Sequence, residues 1–323
     1  MQQEYNISFP INKDHTLLAC VTLYSLLKNN QNYYFNIHIL HNNCLNHKEI
    51  NEVCEIFPLN QFSNFKINLI DVSHISTLIN KDKVPSGLGF FWLKEILFKL
   101  FLPELLLNID KVLHLDTDVM IKGDIKRLFE IKEEYIFKGA KSHNKGWANA
   151  GVMLINLNNA RKLNSQDKIV SFLNNKNVTE EEVIFKLFSD KIDFYENEIA
   201  INIPLNKQLN SFENVISVHF LFPKPFAINR SLKSKTLYNE YYKYLKDFIK
   251  KDSLWKFNIL VFIFCKIFSI YYSLQRRYKR WKCKILKQKY ELDKADNDFY
   301  MTKKIYQYSI IKYCDNCIKN KDA

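Results

Sequence analysis

Val112-Leu113-His114-Leu115-Asp116-Thr117-Asp118-Val119-Met120-Ile121 decides how the rest of this 323-residue chain is read. Val112 to Leu115 is a short apolar run of the kind that forms a buried strand. Its polar end would open at the carboxyl edge of a sheet, where α/β folds place their ligands. If the strand continued, alternation would send Asp116 and Asp118 to one side and Thr117 to the other. Two hard oxygen donors on one side suit a divalent cation that also holds a diphosphate. A surface Asp pair capping the next turn is the plainer alternative, so the surrounding chain has to choose.

Toward the N-terminus the pattern alternates between strands and helices. Tyr5 to Phe9 reads as a strand that breaks at Pro10, and Thr16 to Lys28 as a helix. Tyr34 to Leu40 and Lys66 to Val72 read as strands, with a helical stretch from Asn46 to Phe57 between them. This βαβαβ order predicts an α/β fold with a mixed, mainly parallel sheet and helices on both faces. Phe90 to Leu107 reads as one long apolar helix with Pro103 near its end. Downstream, Val152 to Ile155 and Val215 to Phe220 read as strands and Glu181 to Phe188 as a helix. No Gly- or Ser-rich linker divides residues 1–250, which therefore read as one domain.

Charge and composition set the tail apart. Residues 1–250 carry 30 Lys or Arg against 27 Asp or Glu, while residues 251–323 carry 17 against 7. Phe257 to Leu274 is almost wholly apolar and aromatic, and Gln275 to Lys289 follows with eight basic residues among fifteen. Lys256 and Lys266 count against a membrane span, which needs about 20 apolar residues with few charges. An interfacial helix with aromatic and cationic anchors fits better, so residues 251–323 are expected to associate with an anionic membrane surface. Contact with nucleic acid through interleaved Arg, Tyr and Trp is the alternative, and is not expected. Seven irregularly spaced Cys form no disulfide framework, and Cys314-Asp315-Asn316-Cys317 has no partner pair. The opening residues lack the pattern of a signal peptide, so a cytoplasmic protein, peripheral at the cytoplasmic face of the inner membrane, is expected.

Four blocks carry a resemblance. The first is Ile7-Ser8-Phe9 with Pro10 to Asp14 and Ser25-Leu26-Leu27; the second is Leu102-Pro103-Glu104-Leu105 with Asp110 to Asp118. The third is Asn149 to Leu157, and the fourth is His219-Phe220 with Lys224-Pro225-Phe226. In this order and spacing, across roughly residues 5–228, the chain resembles family 8 glycosyltransferases. That resemblance implies a single Rossmann-like, nucleotide-sugar-binding domain of the GT-A type, here over residues 1–250. It implies retaining transfer of a hexose from a nucleotide-sugar, usually a uridine diphosphate (UDP) sugar.

The resemblance also implies roles for particular residues. Asp116, Asp118 and His219 would hold manganese, or magnesium, on the donor diphosphate, with Thr117 between the carboxylates and Lys224 near the phosphates. Pro10, Asn12 and Asp14 fall where the family meets the nucleotide, although Asn12 and Asp14 could equally cap the next helix. Asn149-Ala150-Gly151 matches the stretch that lines the sugar pocket. Glu180-Glu181-Glu182 stands where the family has an Asp-Gln-Asp-like stretch. There Glu180 would bind sugar hydroxyls and Glu181 would face the anomeric carbon, while three carboxylates starting a helix also suit its dipole.

Departures from the family pattern accompany the match. Lys99 stands where an Arg is common, the Gly expected after His219 is missing, and the His219-to-Lys224 spacing is one residue short. Ala140 to Ala148 is brief where other members carry a long loop over the acceptor. The short loop leaves the acceptor open, and it is the basic aromatic tail that predicts a lipid-linked saccharide acceptor, as in lipopolysaccharide or lipooligosaccharide synthesis. Two other readings remain open at the level of sequence. Asp116 and Asp118 could serve as the nucleophile and acid of a haloacid-dehalogenase-like phosphohydrolase, although Met120 and the long preceding segment fit that poorly. The chain could also be a non-catalytic membrane or nucleic-acid binder.

Overall fold

The computed structural model of the chain describes residues 2–11, 16–42, 61–79, 83–85, 91–142, 146–163, 165–175, 178–196, 199–203 and 213–221, with Leu237, Glu240, Tyr241, Lys243 and Tyr244. Asn12, Asp14, the Asn46–Phe57 stretch, Lys224 with its neighbours, Cys314, Cys317 and the 251–323 tail lie outside the described residues.

Strands β1 (Glu4–Pro10), β2 (Tyr34–His41) and β3 (Phe65–Asp71) are joined in part by helix α1 (Thr16–Asn29). Then come helix α2 (Ser73–Leu78), strands β4 (Lys83–Pro85) and β5 (Phe91–Leu93), and helix α3 (Leu102–Leu105). Strands β6 (Lys111–Leu115), β7 (Val119–Ile121), β8 (Phe137–Lys141) and β9 (Ala148–Asn156) lead into helices α4 (Leu157–Lys162), α5 (Ser165–Asn175) and α6 (Glu180–Phe188). Strands β10 (Ile192–Phe194), β11 (Ala200–Ile203) and β12 (Ser217–Phe220) complete the described elements.

Seven strands form the main sheet in the order β10-β8-β9-β6-β1-β2-β3. Pairings β1/β2, β2/β3, β1/β6 and β8/β10 are parallel, while β6/β9 and β8/β9 are antiparallel. The sheet is therefore mixed and mainly parallel, as expected. Its middle is apolar because both faces are covered, and all nine residues of β9 are buried. A second sheet, β11-β12-β7, stands apart from the first.

Phe90–Leu107 is not the single helix expected from its composition. The chain runs through β5, then a 3-10 helix over Lys94–Phe101, then α3. Pro103 has no N–H to return to the carbonyl of Lys99, so the helix restarts with Pro103 in its first turn. Leu97, Phe98, Leu100 and Phe101 are buried on nearly every side of the 3-10 segment, so its apolar run cannot show helical periodicity. Among the described residues no helix is long and apolar enough to cross a membrane.

His38, His41 and His114 are buried in the main sheet, and His38 gives a direct test of it. His38 on β2 lies 3.2 Å from Asn6 Oδ1 through Nε2, and burial lowers its pKa from 6.5 to about 4. The unfolded chain thus binds more protons than the folded one between those values, and stability falls as pH drops through that window. Each such group contributes a slope on the order of 1 kcal/mol per pH unit. Denaturation at pH 7 and pH 5 should show the loss, and His38→Gln should reduce the difference. An unchanged difference would remove His38 as a cause.

Candidate metal centre

The Asp pair does share one side, but not by strand alternation. β6 ends at Leu115, Asp116 to Asp118 form a turn, and β7 leaves for the second sheet. Helix α1 makes that departure possible. Thr22 Oγ1 lies 2.8 Å from the Thr117 carbonyl and 2.7 Å from the Val119 carbonyl. Ser25 Oγ accepts the Ile121 N–H at 3.0 Å, Asn29 Nδ2 donates to the Ile121 carbonyl at 2.8 Å, and Asn30 Oδ1 accepts the Ile125 N–H at 2.9 Å. Thr22, Ser25 and Asn29 repeat at helical spacing on one face of the helix, and Asn30 follows its end. The sequence reading passed over them, although polar residues in that register were the available signal.

Pairing of β7 with β12 brings His219 opposite Val119, and the Phe220 N–H donates to the Asp118 carbonyl at 3.1 Å. His219 Nε2 then lies 3.2 Å from Asp118 Oδ1 and 3.8 Å from Asp116 Oδ2. Tyr241 packs edge-on against Phe220 at 5.4 Å, behind this strand.

Asp116 is held from the protein side. Lys99 Nζ donates to its Oδ1 at 2.9 Å and His114 Nε2 lies 3.2 Å from the same oxygen. Burial opposes its ionisation, yet Lys99 and His114 outweigh burial and hold its carboxyl well below the usual range. His114, with Nδ1 3.1 Å from Ser8 Oγ, is lowered to about 4 by burial and by Lys99, and stays neutral. Lys99 also donates to the Ala150 carbonyl at 3.0 Å and stands 3.9 Å from Glu180 Oε1. Its side chain is fully buried, and the carboxylates keep it charged against the cost of burial. Glu180 is pushed up to about 7, first by burial and then by neighbouring carboxylates, despite Lys99.

On the other side of His219, Nδ1 lies 2.8 Å from Asn149 Oδ1. Asn149 Nδ2 donates to Glu181 Oε1 at 2.7 Å, and Ser142 Oγ donates to Glu181 Oε2 at 2.8 Å. Gly146, with φ at 82°, turns in a region open to glycine and lets the Ser142 N–H reach the Trp147 carbonyl at 2.9 Å.

The residues fit a divalent cation. With Nδ1 facing Asn149 and Asp116 Oδ1 taken by Lys99, the atoms left facing one another are Asp116 Oδ2, Asp118 Oδ1 and His219 Nε2. Asp116, Asp118 and His219 can each offer one ligand atom within 4.8 Å of the others. Octahedral ligands at about 2.1 Å stand roughly 3 Å apart when adjacent and about 4 Å apart when opposed, so the observed separations are of the right size. Mixed carboxylate and imidazole donors suit manganese.

Gly151 shows why this arrangement tolerates no side chain. A Cβ there would fall onto Cε1 and Nδ1 of the His219 ring and 2.7 Å from its Nε2. Gly151→Ala should displace the ring, weaken any divalent-cation binding about 10–100-fold, and cost about 1–3 kcal/mol through overpacking. Manganese titration and a thermal melt check both; unchanged affinity would contradict the geometry.

A comparison with protein-family profiles matches residues 6–223 to "Glycosyl transferase family 8". The chain belongs to that family. A curated relative, "Lipopolysaccharide 1,2-glucosyltransferase" from Escherichia coli, is 25% identical over 194 residues, which cover 55% of this chain. The chain thus spans only about half of that relative, 55% of its length. Among solved structures, the galactosyltransferase LgtC with donor and acceptor sugar analogues aligns with a TM-score of 0.60 at 15% identity, covering 78% of this chain and 99% of that one. The glycosyltransferase GlyE of Streptococcus pneumoniae aligns at 0.55 and 18% identity, covering 73% of this chain and 60% of that one. These likenesses confirm the GT-A type of α/β fold expected from the sequence.

Of the residues that the resemblance nominated, the structure gathers Lys99, Asp116, Asp118, Asn149, Glu180, Glu181 and His219 around one point. Thr117 contributes its carbonyl to Thr22, Ala150 contributes its carbonyl to Lys99, and Pro10 closes β1 beside Leu40.

Proposed function

We propose that this chain is a metal-dependent hexosyltransferase that takes its sugar, with retention, from a UDP-sugar. The observation that carries this reading is the convergence of Asp116, Asp118 and His219 where β6 ends. Manganese or magnesium there would clamp a diphosphate and neutralise charge developing on it as it leaves. Lys99 fixes the Asp116 carboxylate from behind, so that Oδ2 faces outward toward the cation position. Glu180 is near its midpoint at neutral pH and can accept from or donate to sugar hydroxyls. Glu181 receives hydrogen bonds at both oxygens, which weakens it as a nucleophile. That favours front-face attack, with Glu181 stabilising an oxocarbenium-like sugar, over a covalent intermediate. Lys224 would add a point charge to the phosphates, and Asn12 and Asp14 would meet the nucleotide.

For the acceptor we propose a lipid-linked saccharide of the lipopolysaccharide kind, built at the cytoplasmic face of the inner membrane. The similarity to the Escherichia coli lipopolysaccharide 1,2-glucosyltransferase supports it, as does the basic, aromatic 251–323 tail. Under this division residues 1–250 carry the chemistry and 251–323 dock it.

Incubation with a panel of UDP-sugars and manganese should give slow sugar release that a chelator stops. No release together with no manganese-coupled binding would overturn the reading, and metal-dependent hydrolysis of simple phosphate monoesters would redirect it to a phosphohydrolase. Flotation with anionic vesicles tests the tail: reversing Arg276, Arg277 and Arg280 to Glu should abolish it. Vesicle binding that survives the reversal would sink the docking role.

A further inference from the structure

We infer that Asn149 is a positioning residue that holds His219 in its Nδ1–H tautomer, and that Glu181 orients Asn149 for this task. The inference rests on the metal-site reading above and deepens it. The side-chain amide of Asn149 can be placed in two ways that differ by exchange of O and N, and hydrogen-bond partners decide between them. Here two independent partners agree. The backbone N–H of Gly151, which can only donate, lies 3.1 Å from Oδ1. The Glu181 carboxylate, an acceptor when ionised, lies 2.7 Å from Nδ2. Oδ1 is therefore the atom facing His219 Nδ1 at 2.8 Å.

An amide oxygen can only accept, so the imidazole nitrogen opposite it must carry the proton. The ring can then offer its lone pair to a metal only through Nε2, the nitrogen that faces Asp118 and Asp116. Asn149 and His219 are both buried, at 5% and 3% exposure, so water does not compete for this contact. Ser142 completes the arrangement by donating to the second Glu181 oxygen at 2.8 Å, which fixes the carboxylate that fixes the amide. A ligating His gains basicity and orientation from the group behind it. In this chain that group is an amide, whose direction is set from helix α6.

The order of the parts makes a donor–acceptor exchange possible. In Asn149→Asp alone, two carboxylates would face each other at the former amide contact. Adding Glu181→Gln restores a donor to that contact, while the carboxylate introduced at position 149 still accepts from His219 Nδ1. Manganese binding to the full chain, measured by titration without any nucleotide-sugar, should weaken about 10–100-fold in Asn149→Leu and measurably in Asn149→Asp. It should return to within about threefold of the wild type in the double variant, because the group behind the ligand is again an oriented acceptor. Nitrogen-15 spectra of His219 in the metal-free wild type should show Nδ1 protonated, whether or not Nε2 also carries a proton toward Asp118, and Asn149→Leu should leave the proton on Nε2 alone. A proton on Nε2 alone in the wild type, or wild-type manganese affinity in Asn149→Leu, overturns the inference. A wild type that binds no manganese, yet shows the Nδ1–H ring, would instead count against the proposed function and leave the tautomer assignment standing.

Discussion

In Asp118→Asn, manganese should no longer tighten nucleotide-sugar binding, and sugar transfer should fall by about 10²-fold or more. Asn keeps the shape of Asp and loses its charge, so the turn should survive. The backbone carbonyl of residue 118, not its side chain, receives the Phe220 N–H. Thr22 holds the neighbouring carbonyls of residues 117 and 119 in the same way. What disappears is one of two carboxylates in a nearly dry site, where Asp118 is 4% exposed. Stabilising charge on a departing diphosphate is worth several kcal/mol when a cation supplies it, and each 1.36 kcal/mol is tenfold in rate. Binding should report the same loss without chemistry. Ligand at 100 times its dissociation constant stabilises a protein by about 2.7 kcal/mol, and in the variant the manganese-dependent part of that gain should vanish. A variant that keeps the manganese-dependent melting shift would remove Asp118 from the metal site.

The parts legible in the sequence were those in which one residue's burial is repeated along the chain. β1, β6 and β9 announced themselves as apolar runs and β2 by alternation, while β3, with no fully buried residue, was still legible as a strand. The site residues were legible through the resemblance, and two of them, Asp116 and Asp118, through their donor chemistry. What stayed hidden depends on partners far away in sequence. β7 reads as a continuation of β6, yet it belongs to another sheet, because Thr22, Ser25, Asn29 and Asn30 take up its backbone groups. Periodicity reports that a position is buried, not which element buries it. Asn149 was legible as a sugar-contacting polar residue, while its contact with His219 required knowing that β12 returns beside β7. Lys99 looked like a weaker substitute for Arg. Its position between Asp116, Glu180 and the Ala150 carbonyl shows a cation around which the site is built.

Lys99→Met should therefore be the most destabilising change in the site, at about 3–5 kcal/mol, the usual cost of removing one partner from a buried ion pair. Methionine fills similar space, so little of the loss would come from a cavity. It would come from Asp116 and Glu180, partly buried and left without the cation that offsets their desolvation. The pH dependence identifies the cause. Glu180 already has a folded pKa of about 7 against an ordinary 4.5. The folded state thus binds the extra proton between those values, and stability falls as pH rises through the window. Without Lys99 the folded pKa of Glu180 rises further, so the penalty grows over a wider range. Lys99→Met should lose more stability at pH 8 than at pH 6, and Glu180→Gln placed on top of it should flatten that difference. Chemical denaturation at the two pH values measures both effects. A loss below about 1 kcal/mol at pH 8 would mean that water, not Lys99, solvates these carboxylates, because exposed ion pairs are worth no more than that.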